Sequence, residues 1–183
     1  MMDTRASYLR DIVRTFRNYK TLGEKAMAQI ADSDLHTLVD PDANSIAIIV
    51  RHIGGNLRSR FSDFLTTDGE KADRNRDTEF EMPVAASRDE VMRTWNAGWT
   101  VALASIEALV PEDVDRTVQI RGEPFLVLEA LNRSATHTAY HVGQIVMLAK
   151  HLAGPAWKSL SIPKGQSAQY SKGEFKSKGL TRS

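Results

Sequence analysis

Cysteine is absent from this chain of 183 residues. Disulfides and thiolate ligands are therefore excluded, the fold is indifferent to redox compartment, and any metal must be held by nitrogen or oxygen. Long apolar runs are missing too: none approaches the ~20 residues that a membrane-spanning helix needs. The opening Met1-Met2-Asp3-Thr4-Arg5 carries charge where a signal peptide would need apolar residues, so a cytoplasmic protein without a membrane partner is expected. Charge of one sign is not in excess either, at a formal +1. Its distribution is uneven. Residues 154–183 hold six Lys or Arg against one Glu, while the remainder is weakly acidic. That basic stretch is interrupted by Pro, Gly and Ser, and no helix-turn-helix or stacking motif accompanies it. A partly ordered surface tail over 153–183 is expected, with no nucleic-acid partner.

What is present is helical periodicity. Tyr8, Leu9, Ile12, Val13, Phe16, Tyr19, Met27 and Ile30 recur at the spacing of a first helix from about Thr4 to Ala31. A polar connector ends at Asp40-Pro41, and Asn44 is the expected N-cap of a second helix running to about Leu65. Thr66 to Ala86 is charged and aperiodic, hence a loop. Ser87 and Glu90 have capping-box spacing at the head of a third helix, Arg88 to Leu109, with Trp95 and Trp99 inward. Thr117-Val118-Gln119-Ile120 alternates and meets Arg121-Gly122, a short strand or one arm of a hairpin. The fourth helix spans about Phe125 to Leu152 and stops at Gly154-Pro155. One domain over 1–183 is expected: an all-α four-helix bundle, with a short hairpin before the last helix and an extended tail. Trp157, Leu160 and Ile162 predict that the tail packs back as far as about Gln166. Gly173 to Ser183, with Lys172, Lys176 and Lys178, should stay mobile.

Two histidines stand out on the fourth helix. His137 and His141 are four apart, one turn above each other, within the stripe of Val127, Ala130, Leu131, Ser134, Ile145 and Leu148. Imidazoles pointing inward need a partner. A divalent metal satisfies two at once, and so do hydrogen bonds within a core; the spacing alone leaves both open. His52 on the second helix, with Asn56 beside it, adds a third donor. One histidine on one helix and two on another make a facial three-ligand set that leaves positions open for water or substrate. His36 in its connector and His151 at a helix end read as solvent-facing.

The H-x-x-G-N element at His52 to Asn56, the Asn132-Arg133 pair, His141-Val142-Gly143-Gln144-Ile145 and the tail stretch Leu160 to Ser167 resemble the DinB/YfiT-like metalloenzyme superfamily. The likeness is to a branch known mainly as an uncharacterised bacterial domain, and it covers roughly Arg5 to Tyr170. It implies a four-helix bundle with a three-histidine site for zinc or nickel, its ligands His52, His137 and His141. Manganese or iron also suits imidazole ligands. Relatives in the superfamily include transferases and isomerases that use low-molecular-weight thiols, and many are homodimers.

Three neutral ligands leave the full charge on the ion, which acidifies a bound water or thiol. With no cysteine in the chain, a thiolate must arrive on a cosubstrate. The expected activity is a metal-dependent S-transferase on a small molecule. The alternatives are a metal-dependent hydrolase, for which no carboxylate lies close to the ligands in sequence, and a non-catalytic, stress-related metal-binding protein. Asn56 and Gln144 are candidates to orient histidine rings or substrate, and Arg60 to meet an anionic substrate. Tyr140, rotated about 100° from both ligands, should pack against another helix. Gly54, Gly55 and Gly143 cost roughly 1 kcal/mol each inside helices, for close helix approach or for substrate clearance.

Overall fold

Three of the long helices begin where a side chain takes up a free backbone N–H group. The computed structural model describes residues 3–81 and 86–171. Asp3 accepts from Arg5 N at the head of α1, Thr4–Met27. Ser45, not Asn44, caps α2, Ile46–Phe61, by accepting from Ile48 N at 3.3 Å. Ser87 and Glu90 form the expected capping box of α3, Arg88–Glu107. β1, Thr117–Ile120, and β2, Glu123–Leu126, pair antiparallel, and β2 feeds directly into α4, Val127–Ala153. A short α5, Ser167–Ser171, closes the described chain.

The elements stop short of their periodic patterns for identifiable reasons. α1 ends at Met27, where Arg88, the first residue of α3, captures its last carbonyl and one just beyond it. The guanidinium donates to Met27 O at 3.0 Å and to Ile30 O at 2.8 Å. α2 ends at Phe61, ahead of Leu65, because Asp63 turns the backbone into the left-handed region at φ 48°. Phe125 and Leu126 belong to β2 and not to α4, since they pair with Val118 and Thr117.

α2 packs on α3 and on α4, and α1 packs on α4 and on α3. The α2–α3 contact is made backbone to backbone: a Cβ on Gly98 would lie 2.7 Å from Gly54 Cα. Helix approach therefore accounts for Gly54. Trp95, Trp99, Phe16 and Phe61 fill the centre, fully buried. Among the described residues, no helix is long and apolar enough to cross a membrane.

After α4 the chain doubles back. Gly154 takes φ 52°, and Trp157 and Leu160 rest against the core. The Gln29 amide brackets Lys158, donating to its carbonyl at 3.1 Å and accepting from its N–H at 2.7 Å. Ile162 is exposed. The expectation for Lys172 to Ser183 lies outside the described residues.

Candidate metal centre

α2 and α4 bring three imidazoles to one spot. His52 is buried midway along α2, and His137 and His141, both half-buried, stand one turn apart on α4. They flank the buried stripe of Ser134, Thr138, Val142 and Ile145 rather than lying at its middle. One ring nitrogen from each histidine lies within 4.8 Å of the other two. His52 Nε2 and His137 Nε2 are 3.3 Å apart. Two imidazoles on one tetrahedral ion, each at about 2.0–2.1 Å, hold their nitrogens about 3.3 Å apart. The pair already has that spacing.

Two of the rings are oriented from behind. His52 Nδ1 is 2.8 Å from Glu79 Oε2, and a carboxylate only accepts, so Nδ1 carries the proton and Nε2 offers its lone pair. His141 Nδ1 is 2.8 Å from Gln144 Oε1, an amide oxygen that imposes the same tautomer. The Gln144 amide is steadied in turn by donating to the Tyr140 hydroxyl at 3.2 Å. With no ion, a single proton on His137 Nε2 satisfies the His52–His137 contact. A divalent ion is the alternative occupant, and it uses the third nitrogen as well.

Glu79 is buried and tied down. Arg74 donates to it through Nε at 2.8 Å and Nη2 at 2.9 Å. Burial alone would raise the Glu79 carboxyl, but the bonds from His52 and Arg74 hold it below the usual glutamate value. Arg74 also reaches Glu70, which accepts from Arg60 and Arg121 at 3.0 and 2.9 Å. Charges thus alternate from Glu79 outward to the hairpin. Gly55 makes the room: a Cβ there would lie 2.2 Å from Glu79 Oε1.

The His137 imidazole is pushed down to about 4, first by burial and then by His141, His52, Arg74 and Arg133. Burial likewise lowers His141, against the opposing bond from Gln144. Both are neutral near pH 7, the form that binds metal. A cavity of about 150 Å³ opens beside His52 and His137, with Asn56 and Ser134 in its wall.

Of the residues singled out in the sequence, His52, His137 and His141 come together, and Gln144 orients one of them. Asn56 lines the cavity and makes no side-chain hydrogen bond among the described residues. Arg60 is buried, donating to Gly69 O at 2.5 Å and to Glu70. Three expectations are corrected. Tyr140 does not pack on another helix; it is 64% exposed, because its partner is Gln144 on its own helix. His36 is half-buried, with Nε2 2.7 Å from Ala86 O, and does not face solvent. A carboxylate does stand beside a ligand, Glu79, brought there by a segment without periodicity. Arg74 and Glu79 were invisible to spacing rules because a loop sets their position. The mid-helix Gly55 is the one local trace of them.

A family described as "Protein of unknown function (DUF1572)" matches residues 3–166. No curated protein matches the sequence.

Proposed function

Because the chain belongs to that family of unknown function, its activity must be read from the site, and we propose a metal-dependent enzyme whose His52, His137 and His141 hold one divalent ion. One observation carries this reading. Three imidazole nitrogens converge, and Glu79 and Gln144 have already turned two of the lone pairs inward. A core histidine also gives its one N–H to an acceptor; what favours an ion here is that the three converging nitrogens lie within 4.8 Å of one another, an arrangement one ion satisfies together. Zinc or nickel is the preferred ion, and a site of three neutral nitrogens supplies Lewis acidity undiminished by ligand charge.

Transfer to or from a low-molecular-weight thiol on a small molecule is the preferred reaction. The absence of cysteine means that the thiol comes from outside. Hydrolysis is less well supported, because no carboxylate lines the cavity among the described residues, and Glu79 is held behind His52 by Arg74. A purely structural ion is disfavoured by the ligand count, since structural zinc sites close with four protein ligands. The DinB/YfiT-like four-helix bundle belongs to the same proposal. Its support is the four mutual packings of α1 to α4 around one apolar core. A homodimer completes the reading.

Metal analysis of the purified protein tests it. His137→Ala and His141→Ala should each abolish stoichiometric metal, whereas His36→Ala and His151→Ala should leave it unchanged. Retention of one full equivalent in both ligand variants refutes the site. A screen of thiols with electrophiles, read as thiol consumption by the loaded enzyme, then separates transfer from hydrolysis.

A further inference from the structure

We infer that the cavity beside the histidines is an oxyanion subsite, which takes the carboxylate or phosphate group of the substrate through Arg133 and Arg121, with Asn56 and Ser134 as hydrogen-bonding partners. This rests on the metal reading above, in which the reacting end of the same substrate meets the ion.

The charge in the cavity wall points to an anion. Five arginines line it, Arg60, Arg74, Arg76, Arg121 and Arg133, and no carboxylate does among the described residues. Glu70 and Glu79 stand behind the wall and neutralise its inner part, through Arg60 and Arg74. The outer part is only partly neutralised, since Arg76 meets Asp77 at 3.8 Å and Arg121 shares Glu70 with the inner arginines. Arg133 has no acidic partner among the described residues; its guanidinium lies over the Phe125 ring, 5.9 Å from the centroid. Arg121 meets Glu70 through Nε, which leaves its two terminal nitrogens for another acceptor. A guanidinium fork matches the paired oxygens of a carboxylate or phosphate.

Two largely buried polar groups can serve the same anion. Asn56 is 8% exposed and Ser134 is 6% exposed, both line the cavity, and neither side chain has a hydrogen-bond partner among the described residues. Their polar atoms are not sealed off from solvent, so both are free to hydrogen-bond what the cavity holds. A volume of about 150 Å³ suits an ionic head group.

The hairpin gives the independent observation. Its turn is Arg121-Gly122, with both residues at positive φ, 58° and 75°. Asparagine or glycine ordinarily takes the first of these positions, because a long side chain is strained there. Asp68 holds the turn by accepting both N–H groups, at 2.8 and 2.7 Å. A strained arginine kept in place by a dedicated carboxylate, and delivered to the cavity wall, indicates use.

Arg121→Asn suits the turn better than the native residue, so it removes the guanidinium and spares the fold. Calorimetric titration of the full chain, zinc-loaded and metal-free, with inorganic phosphate and with acetate measures the subsite. Saturable binding of at least one anion is expected in both forms. Arg133→Gln and Arg121→Asn should each weaken it at least about tenfold, as lost charged hydrogen bonds do. The melting temperature of the Arg121→Asn protein should be equal to the parent's or higher. Preference for phosphate assigns a phosphorylated substrate and preference for acetate a carboxylic acid; either supports the subsite. Absence of saturable binding at millimolar anion overturns it, and so does binding that needs zinc and ignores both substitutions. Failure of the parent protein to take up either zinc or nickel would refute the metal reading separately, because the metal-free titration still reports on the arginines.

Discussion

Gly55 and Gly143 make opposite demands on an added methyl group. Gly143 has nothing within 4 Å of a built Cβ, on the outer side of α4. Gly143→Ala should therefore stabilise the protein by about 1 kcal/mol, the ordinary helix preference of alanine, and raise its melting temperature. At Gly55 the same methyl would meet the Glu79 carboxylate, whose oxygens are engaged by Arg74 and His52. Gly55→Ala should forfeit that gain and weaken metal binding about 10- to 100-fold, the usual cost of losing the partner behind a ligating histidine. Competition with a chelator reads the second effect and thermal melting the first. Equal metal affinity in both variants would show that Glu79 does not orient His52. At this scale the three histidines and Gln144 were legible: the spacings 137 to 141 and 141 to 144 are fixed by the pitch of one helix, and His52 lies along the apolar stripe of another. Glu79 was not, because no pitch relates residue 79 to residue 52.

Between elements, Tyr8 joins α1 to α4. Its hydroxyl donates towards Leu128 O at 3.1 Å and Asn132 Oδ1 at 2.9 Å. Burial, reinforced by Asp11, pushes the phenol up to about 12. The folded protein thus keeps this proton to a higher pH than the unfolded chain does. The resulting stability is complete below pH 10 and is lost as pH rises from 10 to about 12. Tyr8→Phe should cost about 1 kcal/mol near neutrality and should lessen the alkaline decline over that window. Denaturant melts at several pH values measure both. The helix positions and the α3 capping box were readable from the sequence. Their ends were not, because Arg88 and the β1–β2 pairing act from elsewhere in the chain.

For the whole molecule, the proposed homodimer can be tested on one exposed face. Tyr140 and Met147 stand seven residues apart on α4, 64% and 69% exposed. If that face joins two copies, light scattering should give twice 20.4 kDa, and Met147→Lys should return the mass to 20.4 kDa. A parent mass of 20.4 kDa at micromolar concentration counts against the dimer. The returning tail was legible through Trp157 and Leu160, which have no use in solvent. By itself, the sequence determined the helical character, the four long amphipathic segments, the hairpin's place and the three donor residues, because those follow from local periodicity and side-chain chemistry. Tertiary structure alone decided that Glu79 stands behind His52, and that arginines from a loop, a turn and a helix share one cavity. Such meetings depend on how the chain closes on itself, and no spacing along it encodes them.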